Sequence, residues 1–430
     1  MSLTYPVATH ALDNGLRVVV SEDHLVPRVS VNLWVDVGSR HESPGHTGLA
    51  HLFEHLMFEG SAHVAEGEHF QELMGHGGHA NATTSFDRTT YLSSVPTGAL
   101  ELALWLEADR HTDLLPAVTQ ANLDNQRDVV VEEKRQRYDN QPYGDAFQQM
   151  CTLVFPPSHP YRHTPIGDMT DLRAATLDDV HTFYEDHYGP STTVLTLVGD
   201  VSPDQAFMLA ERYFGAASDR TVPRRAPVDP LPPLSQVCRT VVKGDVPSER
   251  VYTSFRLPAV THPDFPAVSV ATDVLAGLAV SNLHQRLVRH EESATGCGGG
   301  VLGLVDGTSL GYVVADVAEG HDTDEVDEAI CEELLGLARR GPTPGQLGAA
   351  LAQAERSYLE ALAATDERAE LLSRATVVHG DPEHLNTYPD LVAAVTVDDV
   401  ARVVEQWMAP DHRAALVYRS GGTTPPQDAS

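Results

Sequence analysis

Lysine is nearly missing from this chain: the 29 basic residues include only Lys134 and Lys243, and the rest are arginines. That usage marks a GC-rich bacterial genome rather than a function. Bases of either kind are outnumbered, 29 against 61 acids, for a formal net charge of −32. Phosphate backbones are bound by basic patches, so nucleic acid is excluded as a partner. The acidity fits solubility in an acidic proteome, and it leaves room for steering of cationic peptides. Cysteine is scarce as well. Cys151, Cys238, Cys297 and Cys331 are scattered and form no CxxC pair, which argues against a disulfide frame or a thiolate metal site and for reduced, buried thiols. No apolar run reaches the roughly 18 residues of a membrane span. The start, MSLTYPVATHALDNGLRVVV, has no basic segment leading into an apolar core. A cytoplasmic location without a membrane partner is expected.

What is present is the composition of a globular protein, 42% hydrophobic and 21% charged, over 430 residues, a length for two or three domains. Proline gathers in RTVPRRAPVDPLPPLSQ, Arg220 to Gln236, a stretch with no hydrophobic period. Such stretches are extended spacers, so the expected domains are 1–219 and 237–430, joined by a linker at 220–236. The two halves repeat. TLDDVHTFYEDHYGPSTTVLTLVGD from Thr176 and TVDDVARVVEQWMAPDHRAALVYRS from Thr396 keep an offset of 220 from the threonines to Pro190 and Pro410. Each reads as a threonine cap, a helix, a proline turn and an apolar strand, which points to duplication of one unit. Strands are expected at 16–22, 29–38, 80–85 and 89–95, and helices at 100–115 and about 118–140. Strand pairs mixed with helices, without strict alternation, predict an α+β fold: two homologous domains, each a mixed or antiparallel sheet layered with helices. GCGGGVLG, from Gly296, lacks the lysine and the spacing of a phosphate loop and reads as a flexible loop before the strand GYVVADVAE.

TGLAHLFEHLMFEG, from Thr47 to Gly60, carries the chemistry. Thr47 suits a helix N-cap, Gly60 a C-cap, and Leu49, Leu52, Phe53, Leu56 and Met57 supply an apolar stripe. Residues four apart lie one above the other on a helix, so His51 and His55 aim at a common point, with Glu54 beside them. Neutral imidazoles suit zinc, zinc acidifies a bound water, and a neighbouring carboxylate can act as general base. The alternative is a helix with polar residues on its solvent edge. A short motif occurs by accident, and a catalytic site needs a third ligand.

The longer run GSRHESPGHTGLAHLFEHLMFEGS resembles the pitrilysin/insulinase family of inverzincin metallopeptidases, whose HxxEH motif inverts HExxH. The likeness continues through GGHANATTSFDRTTYLSSVP, NQRDVVVEEKRQRYDNQPYG and HPYRHTPIGDMTDLRAATLDDVHTFYEDHYGPSTTVLTLVGDV, and weakens in the second half. It implies a zinc endopeptidase with one Zn2+ per chain, similar to the catalytic subunit of the mitochondrial processing peptidase. The family places a glutamate ligand after an aspartate and an apolar run. In DVVVEEKRQ that position is Glu133, which leaves Glu132 to a solvated face. His51, His55 and Glu133 are then the implied zinc ligands and Glu54 the base. A supporting glutamate that the family often has seven residues earlier is Gln126 here. Asn81 and Ala82 match the strand that binds peptide substrate through its backbone.

The resemblance also marks an absence. Family members use an arginine and a tyrosine seven apart to hold the substrate carbonyl. In NLHQRLVRHEESAT those positions are Val288 and Thr295, and Arg289 lies one residue out of register. The chain thus looks like one half of a clamshell: the zinc-bearing subunit of a heterodimer whose homologous partner lacks HxxEH and supplies the pair. A homodimeric peptidase, a non-catalytic peptide-binding or scaffold subunit, and a structural-zinc protein are the alternatives. His41, His46, His76 and His79 lie near the motif and read as surface or hydrogen-bonding residues.

Overall fold

In a computed structural model, which describes residues 4–218 and 227–421, the strands form two separate sheets. The first has the order β1-β2-β6-β3-β5-β4. Its strands are β1 (Ala8–Ala11), β2 (Arg17–Glu22), β3 (Arg28–Val35), β4 (His79–Thr84), β5 (Thr89–Pro96) and β6 (Thr193–Gly199). β2 and β6 run parallel and the other neighbours antiparallel. The second sheet has the order β7-β11-β8-β10-β9. Its strands are β7 (Cys238–Gly244), β8 (Arg250–Pro258), β9 (Ala294–Leu302), β10 (Thr308–Val317) and β11 (Ala414–Ser420). Only its β7–β11 pair is parallel. Apart from β1, the two sheets share one topology, and the duplication read from the repeats is present strand for strand.

The repeated segments have the expected local structure. Helices Leu177–His187 and Val397–Trp407 each begin with a reciprocal capping box, Thr176 with Asp179 and Thr396 with Asp399. Each is followed by a proline-led 3₁₀ turn and a strand, β6 or β11. β6 (TVLTLVG) is buried throughout, as an apolar run in mid-sheet should be.

The compact units do not follow the expected domains 1–219 and 237–430. The first comprises Met1–Lys134, His163–Ala226 and Ser357–Pro389, and the second Arg135–Arg162, Pro227–Arg356 and Asp390–Ser430. Side-chain complementarity accounts for this. In the first unit, helix Thr365–Arg374 lies on β3 and β6. Its Ala369 and Leu372, with Leu362 and Leu385, pack on Val19, Trp34, Val194 and Val198. Asn32 Nδ2 donates to Glu370 Oε2 at 3.0 Å, and Ser373 Oγ donates to Thr196 Oγ1 at 2.8 Å. In the second unit, helix Ala146–Val154 packs on β8 and β11, and Arg256 Nε donates to the Val154 carbonyl at 2.7 Å. Residues 219–226, which include the start of the expected linker, lie outside the described residues, and 227–236 form neither helix nor strand.

Three further readings need correction. The glycine run is no loop: Gly296 and Gly298–Gly300 lie in β9, paired residue by residue with β10. Glycine is a poor strand former alone, and here a complete ladder with β10 overrides that preference. Of the four cysteines only Cys151 is fully buried, and the rest are partly exposed. Thr47 and Gly60 cap the motif helix differently from the reading above, as described below. Among the described residues no helix is long and apolar enough to cross a membrane.

Candidate metal centre

The HxxEH stretch forms helix Leu49–Leu56 in the first unit, with Leu49, Ala50, Leu52, Phe53 and Leu56 buried. Its start is not capped by Thr47, whose hydroxyl donates instead to Asp171 Oδ2 at 2.7 Å. Gly48 stands there at φ 91°, with Gly167 packed against it. The orphan amides of Gly48 and Ala50 donate to the buried Glu42 carboxylate, at 3.0 and 2.8 Å. Glu42 also meets His163 Nε2 at 2.8 Å, and burial pushes its pKa up against the pull of these partners. The helix ends at Leu56, and Gly60, at φ 110°, turns the chain after it.

Helix Gln120–Lys134 lies against the motif helix. Leu123, Gln126 and Val130 are its buried stripe. Glu133 lies two turns beyond Gln126, nearly above it, since seven residues advance a helix by about two full turns. Glu132, about 100° away, is exposed. Glu133 Oε2 is 3.8 Å from His51 Nε2 and 3.5 Å from His55 Nε2. The two rings meet edge to face with centroids 4.8 Å apart. One ligand atom from each of the three residues lies within 4.8 Å of the others, and no other such group occurs among the described residues.

These distances fit zinc. Ligand bonds of about 2.0–2.2 Å at tetrahedral angles separate neighbouring donors by roughly 3.4 Å. The donor set, two imidazoles and one carboxylate, is that of a catalytic rather than a closed structural site. Glu54 stands beside it, and its Oε2 accepts a 2.6 Å hydrogen bond from Thr84 Oγ1 at the end of β4. Burial raises the Glu54 pKa, against the Thr84 bond, which favours the anion. Burial disfavours a charged His55, but the Glu133 hydrogen bond and the Glu54 charge outweigh it and raise its pKa.

Two domain models of one peptidase family match the chain: "Insulinase (Peptidase family M16)" over residues 17–154 and "Peptidase M16 inactive domain" over residues 174–354. The chain belongs to peptidase family M16. It is 28% identical over 423 residues to the zinc protease PqqE of Helicobacter pylori, covering 95% of this chain and 91% of that protein. It is 24% identical over 407 residues to the mitochondrial-processing peptidase subunit beta of Blastocladiella emersonii, covering 92% and 85%. The crystal structure of a protease from Helicobacter pylori superposes with a TM-score of 0.90 at 26% identity, over 97% of this chain and all of that one. A putative M16-like peptidase from Alicyclobacillus acidocaldarius has the same fold, with a TM-score of 0.83 at 19% identity, over 98% of this chain and 100% of that one.

The remaining residues singled out by the resemblance fall as follows. Asn81 and Ala82 lie on β4, the edge of the first sheet, paired on one side with β5. Gln126 is buried and meets His55 Nδ1 at 3.1 Å. In the second unit, Val288 is half-buried in the π-type turn His284–His290, and Thr295 is exposed on β9. Arg286 is held by Glu291, Glu332 and Glu333. Of the nearby histidines, His41 Nδ1 accepts from the Gly38 amide at 3.2 Å, His76 Nδ1 meets the Glu72 carbonyl at 2.8 Å, His46 faces Asp179 at 3.4 Å, and His79 faces Arg28 at 3.5 Å. Thr84, Glu42 and Glu59 escaped the sequence reading. All three stand in segments already singled out, but each acts across a gap in sequence that no local period reveals.

Proposed function

We propose that this M16 protein is a zinc endopeptidase acting on peptides or unfolded segments. The observation that carries the reading is the convergence of His51, His55 and Glu133 on one point with Glu54 alongside. These three residues would hold the metal, which when bound polarises the scissile carbonyl and acidifies the attacking water. Glu54 takes the proton from that water and passes it to the leaving amine. The Thr84 hydroxyl fixes one carboxylate oxygen, so the base meets the substrate in one orientation. Asn81 and Ala82 offer the open backbone edge of β4 to an extended peptide, which adds as a further strand.

The chain acts as the zinc-bearing subunit of a heterodimer enclosing a chamber. Support comes from Val288 and Thr295, which stand where an arginine and a tyrosine are expected, and a homologous partner lacking HxxEH would supply that pair. Loss of one oxyanion-type donor costs about 10²–10³ in rate, so the chain alone should be slow. A scaffold role is disfavoured by the complete ligand set and base, and a structural-zinc role by the lack of a fourth ligand.

The test is cleavage of a mixed peptide library by the zinc-loaded protein alone, with Glu54→Gln as control. Cleavage abolished by Glu54→Gln supports a self-sufficient homodimer. No cleavage with one zinc bound supports the dependent subunit. His51→Ala, His55→Ala and Glu133→Ala should each lower zinc content, and full zinc in all three refutes the site.

A further inference from the structure

A metal-binding imidazole needs one ring nitrogen free of hydrogen and the other held by an acceptor. At His55 the partner of Nδ1 is the side-chain amide of Gln126, 3.1 Å away. An amide is ambiguous, because it offers an acceptor oxygen or a donor nitrogen depending on which way it is turned. The neighbouring group resolves the ambiguity. Gln126 Nε2 lies 2.6 Å from Glu59 Oε1. An ionised carboxylate only accepts, so the amide nitrogen must face Glu59 and the amide oxygen must face His55. His55 Nδ1 then carries the hydrogen, and Nε2, 3.5 Å from Glu133 Oε2, keeps its lone pair for the metal.

Glu59 is itself fixed. Its other oxygen, Oε2, accepts from Asn122 Nδ2 at 3.0 Å, one turn before Gln126 on the same helix. Its backbone N–H donates to the Leu56 carbonyl at 3.1 Å, closing the turn beyond the motif helix. The next residue, Gly60, sits at φ 110°, where a Cβ would meet the Val64 carbonyl oxygen at 2.9 Å. A carboxylate is thus held four residues after His55 by a turn that requires glycine.

We propose that Glu59 is a positioning residue of the metal site: by orienting the Gln126 amide it sets the His55 tautomer and supplies, one residue removed, the negative charge that Gln126 lacks. This rests on the zinc reading above. Without an acceptor at 59 the amide is free to turn, and its nitrogen then faces His55 and favours the tautomer with hydrogen on Nε2, which leaves no lone pair on the nitrogen that faces Glu133. Glutamine at 126 and glutamate at 59 form one device. A glutamate at 126 would meet the Glu59 carboxylate at close range, and like charges so placed repel.

The test is zinc affinity, measured by competition with a chromophoric chelator, with circular dichroism as a check on folding. Glu59→Leu should bind zinc about 10–100-fold more weakly, the usual cost of losing such an outer partner. Glu59→Gln, which still offers an acceptor, should stay within about threefold of wild type. Gln126→Glu should weaken zinc binding in the native background and recover in the Gln126→Glu/Glu59→Gln double variant, an arm that does not depend on Glu59→Leu folding well. Wild-type affinity in Glu59→Leu, or no recovery in the double variant, overturns the inference while leaving the metal site intact. A wild-type protein that binds no zinc, or whose binding is unchanged in His51→Ala, overturns the metal reading itself.

Discussion

Arg110 is the place where one substitution should do most damage to the first unit. It lies on helix Leu100–Thr112, 1% exposed, three residues after Glu107, which is 0% exposed. Arg110 Nε and Nη2 clasp the Glu107 carboxylate at 2.6–3.0 Å, and Ser93 Oγ adds a further bond at 2.9 Å. The guanidinium lies over Phe58 and Tyr91, 4.5 Å from each ring centroid. Arg110→Met keeps most of the volume and leaves the carboxylate buried without its cation, a loss of about 3–5 kcal/mol. His69 complicates the outcome in a useful way. Its Nε2 is 3.8 Å from Glu107 Oε1, yet burial and the Arg110 charge push its pKa down to about 2. In the native protein the unfolded state therefore binds the proton first: this group's stability is complete above about pH 6.5 and falls by about 1.4 kcal/mol per pH unit below it. Once Arg110 is gone, His69 is the cation closest to Glu107 and its folded pKa should rise. A raised histidine pKa stabilises below the unfolded value and loses that stabilisation as pH rises through the folded one. Arg110→Met should consequently be less damaging at pH 6 than at pH 8.5. Urea unfolding in a Trp407→Phe background reads this, since Trp34 and Trp105, the other two of three tryptophans, belong to the first unit. Replacing both partners, as Glu107→Leu/Arg110→Met, should recover most of the loss. A loss below 1 kcal/mol, or an equal loss at both pH values, would refute the reasoning.

Three other outcomes are expected. Thr84→Val should lower kcat about tenfold with KM and zinc content unchanged, because the 2.6 Å bond to Glu54 is lost, while Thr84→Ser should retain the wild-type rate; steady-state kinetics on a cleaved peptide decide it. Gly167→Ala, at φ 68° with a Cβ that would meet the Gly48 nitrogen at 2.3 Å, should lower thermal stability by more than 1 kcal/mol and weaken zinc binding, since it pushes on the start of the motif helix. Arg368, 1% exposed, donates to Asp23 Oδ2 at 2.6 Å and holds that carboxyl below its usual range, so its contribution is present above about pH 4 and is lost as pH falls through the lowered value; Arg368→Met should flatten the acid side of the first unit's stability curve.

The pairing of His51 with His55 was legible because helix geometry is local, whereas Glu133 was read from the family resemblance alone. His51 and His55 stand one turn apart, Gln126 and Glu133 two turns apart, and each pair lies on one face of its helix whatever the rest of the chain does. The strands at β2, β3, β4 and β5 were legible from apolar alternation and β-branched residues. What could not be read is what depends on partners distant in sequence. Thr84 meets Glu54 across thirty residues, and Glu42 caps a helix that looked as though Thr47 would cap it. The glycines of β9 contradict strand propensity and pair because β10 offers a ladder. Helix Thr365–Arg374 belongs with the first unit because Ser30, Asn32 and Thr196 on that sheet match its polar face, and nothing in its own period reveals which sheet it covers.

The shared topology explains why chemistry concentrates in one unit. In the first, the chain leaving β3 forms the motif helix, which presents two imidazoles and a carboxylate toward Glu133. In the second, the chain leaving the equivalent strand, β8, forms helix Phe265–Thr272, FPAVSVAT, which has no metal-ligating side chain and whose Phe265, Ala267, Val268, Val270 and Ala271 are all buried. A helix at that place in the topology either carries donors, with a buried carboxylate such as Glu42 to cap it, or it fills the core. The second unit took the latter course, and its arginine at 286 is tied to three glutamates instead of being held ready for a substrate. Its open edge strand β9 and the first unit's β4 occupy the same place in their sheets. What distinguishes them is side chains: β4 ends in the threonine that bonds Glu54, and β9 carries glycine at 296 and 298–300. Restoring chemistry to the second unit would therefore require new donors on a helix that is already core. Among the described residues, His51, His55, Glu54 and Glu133 of the first unit have no counterpart on that helix of the second.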